Sequence, residues 1–296
     1  TISSCNNLMA SLLSDGNLVE IEGRARYFLA RFKEYNQEQL AFWILPIMQC
    51  VLNLMTPFDN WRDATTLTGE VIVEDEFLQT WERTHALKGA TLTLKLMLAY
   101  HFRCYDVAEQ ALKEFESSAA EKVMRVHYSY YSHHFFAGMT CIALFRETQK
   151  KMYLRKARSH KKHLLKLRSI KCPNSEPLLL VLLAEELSLT SGDLSRYEAA
   201  VETAAEACTK ARLMQHTGLV YERAGFIHAE RKNTEKAEKC FDRAMSLYRD
   251  EWGSQGKSDW LCQERQQVLN RVRRPTKMWG LQIEVRQTSS EGEHFY

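Results

Sequence analysis

An all-α fold, built as a superhelical array of antiparallel helix pairs, is what this sequence predicts, and three observations carry it. Apolar and small residues recur at steps of three and four along most of the chain, the period of a helix with one buried face. Glycine and proline are scarce, twelve and five in 296 residues, which leaves too little turn chemistry for many short strands. Residues 218–251 and, more weakly, 87–118 each read as two helices joined by a tight break, and pairs repeated in this way bury their faces by stacking.

The better copy is GLVYERAGFIHAERKNTEKAEKCFDRAMSLYRDE at 218–251. Leu219, Tyr221, Ala224, Gly225 and His228 define one face before the break Lys232-Asn233-Thr234. Ala237, Phe241, Ala244 and Tyr248 follow at steps of four, three and four. Small residues at Gly225, Ala237 and Ala244 let two helix backbones approach, while Tyr221 and Phe241 fill the space beside them. This spacing resembles the tetratricopeptide repeat, a unit of ~34 residues. It departs from the family at Ala224, where Leu is preferred, at His228, where Tyr is, and at Arg249, where Pro is. At such a contact Gly225→Leu is expected to overpack. Gly225→Ala is expected to be milder or even favourable, since Ala is the better helix former by up to ~1 kcal/mol. Leu92, Leu96, Ala108, Leu112 and Phe115 take the matching places in the second copy. A pair of this kind is a packing and binding unit with no reaction chemistry of its own.

In chain order, Asn17 caps a helix over 18–35 with Leu18, Ile21, Ala25, Phe28, Leu29 and Phe32 on one stripe. Asn36-Gln37 opens the next, whose apolar face runs from Leu40 through Trp43, Ile47 and Val51 to Leu52, with Pro46 expected to kink it. Irregular chain from Thr56 to about Gly69 leads into a helix over 70–83 with Phe77, Leu78 and Trp81 inward. Helices over 87–102 and 107–116 form the weaker pair. One long aromatic helix is expected over 121–148, then a basic one over 150–170 that ends at Cys172-Pro173-Asn174. Ser175 restarts a helix with Pro177 in its first turn and a buried run from Leu178 to Leu183, broken at Ser191-Gly192-Asp193. Residues 194–213 and 258–272 supply further helices around the 218–251 pair. The array thus spans 1–270, and 271–296 read as a polar tail or linker.

Composition narrows the function. A chain that is 45% hydrophobic and 26% charged is ordinary for a globular protein, and a net charge of +3 is too small to argue for nucleic acid by itself. The eight cysteines, Cys5, Cys50, Cys104, Cys141, Cys172, Cys208, Cys240 and Cys262, are never closer than 22 residues, so no CxxC writes a zinc or redox site. Scattered in this way they read as small buried hydrophobes in a reducing, cytoplasmic setting. No uncharged apolar run reaches eighteen residues, so no membrane span is expected. The start TISSCNNLMASLL has neither Met nor a basic region, and reads as the opening of a piece of a longer chain, not as a signal peptide.

No phosphate loop, GxGxxG turn, HExxH or GxSxG motif is present, and no catalytic residue, cofactor or metal is expected. His160 and His163 lie three apart on one helix, but His160 shares the face of Tyr153, Ala157, Leu164 and Leu167 while His163 lies off it beside Lys162, which argues against a metal pair. His133 and His134, as neighbours, are expected to point to different sides. The aromatics from His127 to Phe136 read as filling between repeats, with a ligand pocket as the alternative. Glu185 and Glu186 diverge by about 100° on a helix and are expected in solvent.

The sharpest feature is the basic helix. No acidic residue lies between Glu147 and Glu176, and ten lysines and arginines do. Lys151, Arg155, Arg158, Lys162 and Lys166 share its outer side, opposite Tyr153, Ala157, His160, Leu164 and Leu167. Such a face is either solvated and compensated by acids on neighbouring helices, or a docking strip for an acidic partner surface or phosphate. Nucleic acid is disfavoured, because aromatic residues are poorly interleaved with the cations.

Phe136-Ala137-Gly138 through Leu144, the basic helix, KCPNSEPLLLVLLAEELSLTSGD, RYEAAVETA and LYRDEWGSQGKSDWL follow one another in this order, with VLNLM at 51–55 and Leu67-Thr68-Gly69-Glu70 before them. Together they resemble one long helical region of large multidomain signalling proteins. In that family the region lies between an ATPase module of the signal-transduction type and downstream sensor or histidine-kinase modules, and many members begin with a serine/threonine-kinase domain. The resemblance implies a non-catalytic tetratricopeptide-like interaction and spacer region, with protein partners (the flanking modules or a signalling partner) and no small-molecule substrate. The alternatives are a stand-alone adaptor that binds a peptide in the groove of the array, and a nucleic-acid-associated helical protein using 150–171.

Overall fold

Among the described residues, five helix ends close in the same way, and none of these uses glycine. Two residues past the last residue of each helix the backbone turns left-handed, at Asn36 (φ 51°), Arg103 (56°), Lys171 (56°), Arg212 (58°) and Lys232 (60°). The next N–H then donates to the carbonyl five residues back: Gln37 to Phe32 (2.7 Å), Cys104 to Ala99 (2.9 Å), Cys172 to Leu167 (3.0 Å), Leu213 to Cys208 (2.8 Å) and Asn233 to His228 (2.9 Å). This Schellman closure satisfies the last carbonyls of a helix and ends it within three residues. A side chain in the left-handed region costs roughly 1–2 kcal/mol, so each turn is held by those bonds and by the packing of the helices it joins.

The computed structural model describes residues 2–273 apart from 82, 83, 126, 128, 173 and 191–193, and among the described residues the chain is helical with no strand. The helices are α1 (Ile2–Leu13), α2 (Leu18–Glu34), α3 (Leu45–Met55), α4 (Glu74–Trp81), α5 (His85–His101), α6 (Tyr105–Ser117), α7 (Ala120–Met124), α8 (Tyr130–Thr148), α9 (Lys151–Ser169), α10 (Ser175–Thr190), α11 (Leu194–Lys210), α12 (Met214–Glu230), α13 (Thr234–Ser246) and α14 (Gln255–Arg273). Among these residues no helix is long and apolar enough to cross a membrane.

Two kinds of helix alternate. Every residue of α12 from Gln215 to Ala229, and of α8 from Tyr130 to Leu144, is buried, and α5 is buried nearly all round. By contrast α6, α9 and α13 bury a single stripe, such as Ala237, Phe241 and Ala244 on α13. Helices of the second kind are amphipathic and need one neighbour, whereas those of the first kind must be covered on every side. Each inner helix accordingly lies against an outer one, α5 with α6, α8 with α9 and α12 with α13, while α11 packs against both α10 and α12.

The first and last parts of the described chain also meet. Helix α14 packs against α3 as well as against α12 and α13. Ser254 Oγ donates to the Leu54 carbonyl (2.7 Å), Asn17 Nδ2 to the Glu251 carbonyl (3.0 Å) and Trp61 Nε1 to Gln263 (2.8 Å). A Cβ on Gly256 would collide with the Thr56 carbonyl, so only glycine lets the first turn of α14 rest on the end of α3. Units that touch only their neighbours would make none of these contacts.

Several expected boundaries move. Helix α1 was not foreseen, since its polar SSCNN start hides the buried Leu8, Leu12 and Leu13. Pro46 does not kink a continuous helix: the chain runs as a 3-10 segment over Glu38–Trp43, and Pro46 opens α3, where a missing N–H is harmless. Helix α4 starts at Glu74, not residue 70, because Glu74 N donates to Thr68 Oγ1 (3.0 Å) and its carboxylate accepts from Leu67 N (2.7 Å). The aromatic stretch is two helices, α7 and α8, separated around Ser129. After α13 a π-helical turn, Leu247–Trp252, buries Tyr248 and Trp252 before α14 begins at Gln255. The expected break at 191–193 and the tail from 274 to 296 lie outside the described residues, as do the side chains of Leu78 and Trp81.

Candidate functional site

Helix α9 lies between α8 and α10, and its inward stripe is Tyr153, Ala157, His160 and Leu164, with Leu167 half-buried. Its outward side carries Lys151, Arg155, Arg158, Lys162 and Lys166, all exposed. The flanks of the helix are neutralised from its neighbours: Lys156 Nζ meets Glu116 of α6 (2.7 Å), and Lys161 Nζ meets Glu186 of α10 (2.5 Å). Among the described residues none of the five outward cations makes an ion pair or side-chain hydrogen bond. Met152 and Leu165 border the row, exposed at 42% and 38%, and Ile170 stands open at its end. From Lys151 to Lys166 the row is about 22 Å long.

Behind this strip, between α6, α7, α8 and α9, lies a cavity of about 240 Å³ lined by Phe115, Glu121, His133, His134, His160 and His163. The structure therefore joins four histidines that sequence spacing kept apart. His133 and His134 do face different helices, His133 toward Phe115 of α6 and His134 toward His160 and His163 of α9, yet both border the cavity that lies between those helices. His134 Nδ1 lies 2.9 Å from His160 Nδ1, His134 stacks on His163 at 4.1 Å, and His133 on Phe115 at 3.6 Å. Burial holds all four below the ordinary imidazole pKa, reinforced in His133, His134 and His160 by the neighbouring rings, with His160 at about 4. At neutral pH the cavity is thus lined by uncharged rings. Among the described residues no group of three or more His, Cys, Asp or Glu side chains is arranged to hold a metal ion.

A second charged region is interior, and sequence spacing gave no sign of it. Glu185 is not solvated but 3% exposed, and it accepts from Arg223 (2.8 Å) and Arg146 (3.1 Å). Burial pushes its carboxyl up, but the two arginines outweigh burial and leave it below the usual carboxylate range. Glu186, the other expected solvent residue, is half-buried against Lys161. The next residue pair on α12 continues the pattern. Glu222 meets the fully buried Lys257 of α14 (2.8 Å) and accepts from Tyr248 Oη (2.7 Å). Lys257 also donates to the His101 carbonyl and lies 3.6 Å from the Trp260 ring centre. Burial pushes its ammonium down to about 8 against the pull of Glu222.

The five expected packing residues, Tyr221, Gly225, Ala237, Phe241 and Ala244, are all buried in the α12–α13 pair. An added Cβ on Gly225 would lie 2.7 Å from two ring carbons of the fully buried Phe241. Even alanine clashes there, so Gly225→Ala is expected to be milder than Gly225→Leu but not favourable. A larger cleft, about 470 Å³, lies elsewhere, at the ends of α5, α12 and α14, lined by Phe102, Phe226, Trp260 and Val268. On its rim Arg103 reaches Glu264 at 3.8 Å and covers the Phe226 ring at 4.1 Å.

No protein-family model, curated protein or solved structure matches this chain.

Proposed function

We propose that this chain is a non-catalytic interaction and spacer region, an array of tetratricopeptide-like helix pairs working within a larger intracellular signalling protein of the ATPase or kinase type. The observation that carries the reading is the α12–α13 contact, where a small residue, Gly225, sits directly against a large one, Phe241, at the tetratricopeptide spacing. The inner-and-outer order repeated in α5–α6 and α8–α9 supports an array and not an isolated pair. The eight cysteines fit a reducing compartment, being scattered along the chain with four of them buried. Binding of the purified chain to the modules encoded beside it, read by isothermal titration, tests the proposal, together with an assay for ATP hydrolysis and phosphotransfer. The expected result is saturable binding to at least one module and no turnover. Turnover that survives controls for contaminants, or a chain that binds none of those modules, overturns it.

A further inference from the structure

Resting on that reading, we propose that the outer face of α9 is a docking strip for an acidic, amphipathic polypeptide segment of about four helical turns, laid along Lys151, Arg155, Arg158, Lys162 and Lys166. The fold distributes its own acids so as to leave this row bare. Glu116 and Glu186 are spent on Lys156 and Lys161 at the two flanks, and none is left facing the five cations between them. Like charges at four-residue steps repel, and a row that keeps three such pairs (Lys151–Arg155, Arg158–Lys162 and Lys162–Lys166) is weakly destabilising to the chain alone. Its counter-charge comes from outside.

The shape of the strip selects the partner class. The row is straight, about 22 Å long and a single helix wide, which matches acidic residues recurring at three- and four-residue steps on one face of a partner helix. Met152 and Leu165, exposed along its edges, offer apolar contact to the sides of such a helix. A duplex fits less well, because the carboxylates of Glu116 and Glu186 fence the strip on both sides, where the phosphate walls of a broader ligand would lie, and a single strand would find no aromatic ring on the exposed face for base stacking. A bilayer fits worst. An interfacial helix inserts its apolar face, and that face of α9 is already buried against α8 and α10.

The probe is a fluorescein-labelled peptide of about sixteen residues with Glu at three- and four-residue steps and Leu beside them, titrated with the full chain and read by anisotropy. Controls are the same peptide with Glu replaced by Gln, a duplex DNA of similar length and phosphatidylserine vesicles. The Glu peptide should bind saturably at about 20 mM salt and lose affinity by about tenfold or more at about 0.5 M salt. The Gln peptide should bind at least about tenfold more weakly, as should the Glu peptide to the Arg155→Glu, Arg158→Glu, Lys162→Glu variant, whose urea melt should show no loss of stability against the wild type. Leu165→Ser should weaken peptide binding without changing its salt dependence. No saturable binding of the Glu peptide, equal binding to the triple variant, or tighter binding of the duplex or the vesicles overturns the proposal. The broader interaction reading fails separately. If the triple variant still binds the neighbouring modules as wild type does, the chain is an interaction region that uses another face; if the wild type binds no module, the reading itself is wrong.

Discussion

Lys162 and Lys257 carry the same ammonium group, and the fold treats them in opposite ways. Lys162 stands in solvent in the middle of the α9 row with no acid beside it. Lys257 is fully buried and is met by Glu222, by the His101 carbonyl and by the face of Trp260. The interior admits charge only together with a partner from another helix, as Glu185 is for Arg223 and Arg146. The difference is one of hydration. An exposed ammonium keeps its water, whereas a buried one loses several kcal/mol of solvation that only a close counter-charge and hydrogen bonds restore. Charges that belong to the fold can be told apart in this way from charges left for something outside it.

The strongest test forces unpaired charge into the interior. His101, His133, His134, His160 and His216 are buried, and burial holds each below the ordinary value of 6.5, His160 at about 4 and His216 at about 3. Below that ordinary value the unfolded chain takes up protons that the folded chain refuses. Stability is therefore intact above about pH 6.5 and falls as the pH drops toward 4. The losses from the five rings run in the same direction and add, so together they make a large part of an ordinary domain's stability. Urea midpoints should collapse between about pH 6 and 5. A flat profile over that range would show that these rings sit in a charge-tolerant environment.

Removing one partner of a buried pair comes next. Glu222→Leu strands Lys257 and should cost about 3–5 kcal/mol, while adding Lys257→Met and Tyr248→Phe to it should recover most of the loss. Equal stability of the single and triple variants in urea melts would mean that Glu222 does not hold the lysine. A purely steric change in the same helix gives the scale. Gly225→Leu should cost about 1–3 kcal/mol, and Gly225→Ala less but with the same sign. The smallest effect belongs to the strip. Lys162→Glu relieves repulsion from Arg158 and Lys166 and should raise stability by roughly 0.5–1 kcal/mol at low salt. A loss of that size instead would reveal an internal acid already paired with Lys162.

What was legible in the sequence was set by how far each partner lies along the chain. Stripes such as Leu18, Ile21 and Ala25, or Ala237, Phe241 and Ala244, are periods within one helix, and they are buried as the period requires. The outward position of the five α9 cations followed from the same periodicity. Glu185 was misjudged because its partners are 38 and 39 positions away, and two adjacent acids on one helix look solvated until the packing of α10 against α12 is known. Lys257 gave no signal of burial for the same reason. The histidine cavity escaped because neighbours that face different helices, His133 toward α6 and His134 toward α9, can still border one space between them, and only the packing of those helices around α8 shows it. The tight turns were hidden by their residues. Arg103, Lys171, Arg212 and Lys232 are not residues that announce a left-handed turn, and only the helix they terminate makes them adopt one.

The seat of α14 on α3 bears on how the molecule comes together and falls apart. Ser254 and Leu54 are 200 residues apart when their hydrogen bond forms. Each doubling of such a loop adds only about 0.6 kcal/mol, so closure is tolerable in energy, but a contact of that span forms late and slows folding. A linear stack with free ends frays one unit at a time. Here the last helix plugs Lys257 into the centre beside Glu222 and rests Gly256 on Thr56, so neither end can loosen without the middle. Denaturation should be a single transition, and a piece cut before Gln255 should not be a smaller folded unit but an unfolded one. Whatever exchange of parts such a protein undergoes, in evolution or at the bench, this region travels whole.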